Sequence, residues 1–237
     1  MITRMHILIL FAVTAAGCST ARMPVDDTLA SGEYLAVEGR QGWKIHERVT
    51  FGSYATENVD RSWTKGSGLA INEVEMNRRR QTFSFTFSDA GAPLYAVACE
   101  VRLRHGEVNT PIVDVEFRNR STLECSLDPM GTGEYDRISW TLSLEEHGEK
   151  PLTGLLSSNG GTFDVSGTNK LKGGLPVSFT TGYYIRRDGR DIGAIDVVND
   201  GAVRIKADLS ASDKHSVAAA GAALLLLEDL RGSIEEV

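Results

Sequence analysis

Side chains able to do chemistry are sparse and scattered in this 237-residue chain. Beyond the first twenty residues the histidines are His46, His105, His147 and His215. None stands in the HxH or HExxH spacing that brings two imidazoles to one metal ion. All four are expected at the solvent surface, His147 at a hairpin tip within Glu145-Glu146-His147-Gly148-Glu149-Lys150. No GxSxG elbow presents a nucleophilic serine, and "LLSSNGG" around Ser157 and Ser158 reads as a turn. Gly160-Gly161 and Gly173-Gly174 lack the following helix that a phosphate cradle needs, so they punctuate loops. No catalytic residue, metal or cofactor is expected from these patterns, and the protein reads as a binding or scaffolding module.

Two stretches carry binding chemistry instead. Arg78, Arg79 and Arg80 form the densest basic run, just ahead of the strand that carries Phe83. Guanidinium forks suit phosphate oxygens, so the run is a candidate contact for anionic lipid headgroups. The plainer alternative is a solvated loop that balances Glu73 and Glu75. In "VDRSWTKGSG", Val59 to Gly68, Trp63 lies between Arg61 and Lys65. It is either an exposed recognition residue or, as the pattern favours, a plug in one mouth of the fold.

The cysteines bear on where such a module works. The chain opens MITRMHILILFAVTAAGCSTA: Arg4, then an apolar run from Ile7 to Val13, then Ala15, Ala16, Gly17 and Cys18. The apolar run falls short of the ~20 residues that span a bilayer, and small residues follow it, as in a secretory signal. Small residues ending in cysteine resemble the lipobox of bacterial lipoproteins, although the family's usual Leu is replaced by Ala15. That resemblance implies cleavage after residue 17 and fatty acylation of Cys18. With Ser19 next, it implies an outer-membrane anchor facing the periplasm. The expected organisation is a signal over 1–17, an anchor and extended tether over 18–30, and one domain over 31–237. Without Arg4 the mature chain has 24 basic and 32 acidic side chains, a balance that argues against a nucleic-acid partner. The expected partners are the membrane, through the anchor, and an envelope protein or anionic lipid. Export also makes a disulfide between Cys99 and Cys125 the expected state, because oxidised pairs persist outside the cytoplasm and both cysteines share the parity of their strands' apolar residues.

The elements that must position these residues are strands. Phe83, Phe85 and Phe87 alternate with Thr82, Ser84 and Thr86; Ile138, Trp140, Leu142 and Leu144 alternate with Ser139, Thr141 and Ser143. Trp43 and Ile45, Val113 to Phe117, and Val203 and Ile205 repeat the pattern. Period-two alternation means one buried and one wet face, and about ten to twelve such strands fit between Tyr34 and Lys206. Asp188-Gly189 and Asp200-Gly201 supply hairpin turns in a meander over 177–187, 191–198 and 202–207.

After Ala207 the period changes. Ser210 and Asp213 can cap a helix whose residues Val217 to Leu227 are all apolar, with Gly232 as a stop. A helix apolar around its whole circumference must be enclosed. The run is too short for a bilayer, and one face of an open sheet would leave half of it wet. A sheet rolled around it buries every side. The expected fold is therefore mainly β, a closed antiparallel barrel of about 10–12 strands around a hydrophobic C-terminal helix, with a β-sandwich carrying a packed terminal helix as the alternative.

Strands closing on a hydrophobic terminal helix resemble the tubby C-terminal domain and its scramblase-like and LURP-one-like relatives. The resemblance rests on "GYYIRRDGRDIGAIDVVNDGAVRIKADLSASDKHSVAAAGAALLLLEDL" and covers Tyr34 to Arg231. It implies a binding domain, in some relatives one for phosphoinositide headgroups. Enzymes with a dispersed site, or a structural subunit of an envelope complex, are the other functional classes left open.

Overall fold

Alternating apolar residues build thirteen described strands: β1 Glu33–Glu38, β2 Thr50–Phe51, β3 Tyr54–Arg61, β4 Lys65–Ile71, β5 Val74–Asp89, β6 Ala92–Asn109, β7 Asp114–Pro129, β8 Trp140–Glu145, β9 Thr153–Ser158, β10 Gly161–Thr168, β11 Gly182–Arg187, β12 Arg190–Asp196 and β13 Ala202–Ile205. The computed structural model describes residues 21–41, 47–71, 74–109, 114–130, 138–146 and 150–228. Cys18, Trp43, Ile45, His46, Val113, His147 and Gly232 lie outside these.

All the pairings are antiparallel, in the order β3-β2-β1-β13-β12-β11-β10-β9-β8-β7-β6-β5-β4. The wall closes where β3 also pairs with β5, from Tyr54↔Asp89 to Arg61↔Phe83. Twelve strands therefore form a closed barrel, and β4 hangs outside it on β5. Closure rules out the sandwich.

The helix Ala211–Leu226 fills the lumen. Its N-cap is Ser210, whose hydroxyl accepts from the Asp213 N–H at 3.1 Å. Every residue from Ser216 to Leu226 is buried, as a helix apolar on all sides requires. Small residues set the packing distance. A Cβ on Gly193 of β12 would come within 2.7 Å of Val217 Cγ1, and one on Gly221 within 3.2 Å of Ile195 Cγ1. The helix ends at Leu226, earlier than the Gly232 stop read from the sequence. Arg40 takes up one of its terminal acceptors and ties it to the wall: Nε donates to the Leu225 carbonyl at 2.8 Å, and Nη1 to the carbonyl of Val197, in the connection from β12 to β13, at 2.7 Å. A guanidinium thus does the work that a glycine cap would have done.

The two rims differ. At the helix's N-terminal rim, short hairpin turns join β2 to β3, β5 to β6, β9 to β10 and β11 to β12. The last has Asp188 and Gly189 at φ 51° and 73°, as its Asp-Gly signal predicts. Arg187 pairs with Asp213 at 2.8 Å there, and His215 Nε2 lies 3.2 Å from Asp89 Oδ2. The C-terminal rim carries the connection 169–181, where the sequence predicts a strand from Val177 but β11 begins at Gly182.

One further difference concerns 18–30. From Arg22 the chain packs on the barrel's outer wall instead of trailing as a tether. Met23 and Leu29 are fully buried, and Asp26 caps a short helix, Asp27–Ala30. The Met23 N–H donates to Asp196 at 3.1 Å, Lys172 N–H to the Arg22 carbonyl at 2.8 Å, and Tyr184 hydroxyl to the Pro24 carbonyl at 2.6 Å. Isolated apolar residues in a polar stretch carry no periodicity, so this docking has no sequence signature.

Candidate functional site

β5, β6 and β7 are much longer than their outer neighbours. β3 meets β5 only from Phe83 onward, and β8 meets β7 only over Thr122 to Leu127. The remainder of the three strands, with β4, continues past the helix's C-terminal rim as a four-stranded flap. Its inner face stays apolar and buried at Val101 and Leu103.

The outer face is basic. Register places Lys65, Arg80 and Arg102 in one row, and Ser67, Arg78, Arg104 and Arg120 in the next. All of these residues are exposed. Side chains in adjacent rows of a pleated face share one surface, so six cations gather where the linear sequence shows a run of three. Part of the array surrounds a shallow depression of about 300 Å³ lined by Lys65, Ser67, Arg78, Arg80, Arg102 and Arg104.

Carboxylates hold half of the array. Glu100 accepts from Arg102 Nε at 2.5 Å and from Arg80 Nη2 at 2.9 Å. The Arg102 hydrogen bond, with the charges of both arginines, holds the Glu100 carboxyl below its ordinary range. Arg120 pairs with Glu145. Glu124 stands beside Glu100 in the same row. Arg78, Arg104 and Lys65 have no carboxylate partner among the described residues. Such an array can hold a multiply charged anion by forked hydrogen bonds.

Behind the flap lies the barrel mouth, closed by a second group of charges. Arg61 pairs with Glu47 at 3.2 Å and with Glu228 at 3.3 Å; its side chain is 8% exposed and that of Glu47 1%. Gln81 donates to Glu228 at 3.0 Å, and the Gln41 N–H donates to Glu47. Arg61 also sits over the Phe83 ring, 5.5 Å from its centroid. Burial lowers the Arg40 guanidinium from its ordinary value, against the pull of Glu47 and Asp196. Beside them is a cavity of about 230 Å³ bordered by Val101, Leu152, Phe179, Tyr183, Leu224 and Leu227. This group tethers the helix end to the wall.

Several sequence expectations change here. Arg78 to Arg80 belong to a strand and not to a loop, and pleating sends Arg78 and Arg80 outward with Arg79 on the opposite side. Arg102, Arg104 and Arg120 were missed because only strand register brings them to the run. Trp63 is 85% exposed at the base of the flap, so it does not plug the mouth. His105 is buried on the inner face of β6, and His215 is half-buried against Asp89; neither is the surface residue expected. Ser158 Oγ accepts from the Gly160 N–H at 3.0 Å, in the turn that was read there.

Cys99 and Cys125 are direct partners across β6 and β7, with Cα atoms 4.0 Å apart and sulfurs at the bonding distance of 2.12 Å. No group of three or more His, Cys, Asp or Glu among the described residues is arranged to hold a metal. No described helix is long and apolar enough to cross a membrane. No protein-family model, curated protein or solved structure matches the chain.

Proposed function

We propose that the protein is a lipid-anchored module of the bacterial cell envelope, which binds anionic headgroups through the outer face of the flap and does no catalysis. The observation that carries this is the convergence of Lys65, Arg78, Arg80, Arg102, Arg104 and Arg120 on one exposed face. The signal-like opening and Cys18 support an anchor at the outer membrane, facing the periplasm. A twelve-stranded barrel around one helix supports kinship with tubby-like domains, whose relatives hold headgroups with basic side chains.

The test is binding to vesicles with and without anionic lipid. An arginine near an anionic surface contributes about 1 kcal/mol, so Arg78→Ala with Arg104→Ala should weaken binding about 30-fold. Both side chains are exposed, so the fold should survive. Unchanged binding in that double variant, or no preference for anionic vesicles in the native protein, defeats the headgroup reading. Membrane retention after Cys18→Ala, with no lipid on the native Cys18, defeats the anchor. A second reading, an envelope-protein partner, draws on Trp63, because an exposed tryptophan beside cations is typical of interface hot spots.

A further inference from the structure

The connection between β10 and β11, residues 169–181, is tightly built, yet it displays apolar side chains. Gly174 N–H donates to the Leu171 carbonyl at 3.1 Å and Val177 N–H to that of Asn169 at 2.8 Å. Thr181 Oγ1 ties its base by donating within reach of the carbonyls of Lys170, at 2.6 Å, and Thr168, at 3.1 Å. Leu175 at its tip is nevertheless 85% exposed and Phe179 52% exposed. Lys170 and Lys172 lead into the tip and are exposed too. The connection bonds its own backbone while holding Leu175 and Phe179 in water, where an adjoining apolar phase would cover them.

The fold says where that phase would lie. Lys172 N–H donates to the Arg22 carbonyl, and Asn199 Nδ2 donates to the carbonyl of Ala21 at 2.8 Å. The loop therefore touches the point where the described chain ends on its way to Cys18. Only residues 19–21 intervene, and a fully extended chain carries Arg22 at most about 14 Å from Cys18. The interfacial layer of one bilayer leaflet is about 5–8 Å deep. An acylated Cys18 thus keeps this loop within reach of the surface that holds the acyl chains. Lysines beside an apolar tip match an interface of anionic headgroups over hydrocarbon.

We infer that the 169–181 loop is a membrane-docking element, which seats Leu175 and Phe179 in the lipid interface beside the anchor, with Lys170, Lys172 and Arg22 at the headgroups. This inference rests on the anchor reading, and it fixes the module's orientation, with the helix's C-terminal rim toward the bilayer. The flap springs from that same rim, so its basic face is presented where headgroups are.

The experiment uses full-length lipidated protein carrying Leu175→Trp in a Trp63→Phe background. It is reconstituted into phosphatidylethanolamine–phosphatidylglycerol vesicles with and without brominated acyl chains. The expected result is that the emission added by Leu175→Trp, taken as the difference from the Trp63→Phe protein that keeps Trp43 and Trp140, is blue-shifted and is quenched at least two-fold by brominated lipid, while the Trp63→Phe protein itself is not quenched. Added emission at the position seen for unlipidated Cys18→Ala protein without vesicles, unquenched by bromine while the protein stays on the vesicles, overturns docking and leaves the anchor intact. A blue shift without bromine quenching assigns the cover to a second copy of the chain and also overturns it. Mass spectrometry of the same sample reports acylation of Cys18, so a bare Cys18 with quenched tryptophan rejects the anchor and keeps the docking. As a second variant, Leu175→Asp with Phe179→Asp in unlipidated Cys18→Ala protein should lower vesicle binding at least ten-fold; unchanged binding there also refutes the inference.

Discussion

Removing the guanidinium from the mouth should unseat the helix end, and its cost follows from burial. In Arg61→Met a chain of similar length replaces a side chain that is 8% exposed, and Glu47, 1% exposed, loses the ion pair with Arg61. Truncating one member of a buried pair costs about 3–5 kcal/mol, chiefly because the surviving charge stays desolvated. The lower end applies here, since the Gln41 N–H still donates to Glu47 and Glu228 on the other side is 30% exposed. For a domain of about 200 residues each kcal/mol moves Tm by about 2–4 °C, so the variant should melt about 6–12 °C lower. Adding Glu47→Gln removes the stranded charge and should restore most of that loss, because an ion pair replaced on both sides is close to neutral. Differential scanning calorimetry on all four members of the cycle measures the coupling. An Arg61→Met Tm within about 2 °C of the native value, or no recovery in the double variant, would refute the claim that this pair holds the mouth closed.

The remaining predictions concern other parts of the wall. Glu100→Gln should tighten anionic-vesicle binding about two- to five-fold, because it releases Arg80 and Arg102 from the carboxylate that occupies them; weaker binding would show that the ion pairs organise the array. Glu100 should titrate below free glutamate by carboxyl-carbon NMR, and its stabilising share should be complete above the ordinary carboxylate range and vanish as pH falls through the lowered folded value; Arg102→Ala should return the titration toward normal. Intact mass with and without reductant should differ by two hydrogens, and Cys99→Ser with Cys125→Ser should cost up to about 3.5 kcal/mol by the chain-entropy relation for a separation of 26 residues, less because β6 and β7 already pair there. Gly193→Val should destabilise by at least about 1–3 kcal/mol in urea unfolding, since its Cβ alone would meet Val217 at 2.7 Å; a neutral result would mean the helix can shift inside the barrel.

Where a residue faces both wall and core, its neighbours in the chain announce it. Phe83, Phe85 and Phe87 alternate cleanly because one side of β5 is dry there, and the unbroken apolar run of the helix demands a complete enclosure. Further along the same strand the signal fails. Residues 74–80 run Val-Glu-Met-Asn-Arg-Arg-Arg, polar at both parities, because beyond the rim neither side of the flap is fully dry. The site is harder to read than the fold for a related reason. Arg78 and Arg104 become neighbours through cross-strand register, and their separation in sequence says nothing about it. Arg40 capping a helix end at Leu225 is likewise a contact between distant segments. Met23 and Leu29 show the opposite case, apolar residues without rhythm that bury together against Ala194.

The order of elements along the chain has a consequence for biogenesis. β1 needs β13 as its neighbour, with Glu33 opposite Ile205, and the stuffing of the lumen comes after both. During synthesis from the N-terminus, every earlier strand emerges before the piece that its apolar side must grip. The early sheet therefore has nothing to wrap, and closure waits for the helix to arrive. Nonsense alleles that remove the stretch from Ala211 onward would leave a hollow, sticky sheet for proteases, so this one helix guards the survival of every strand before it.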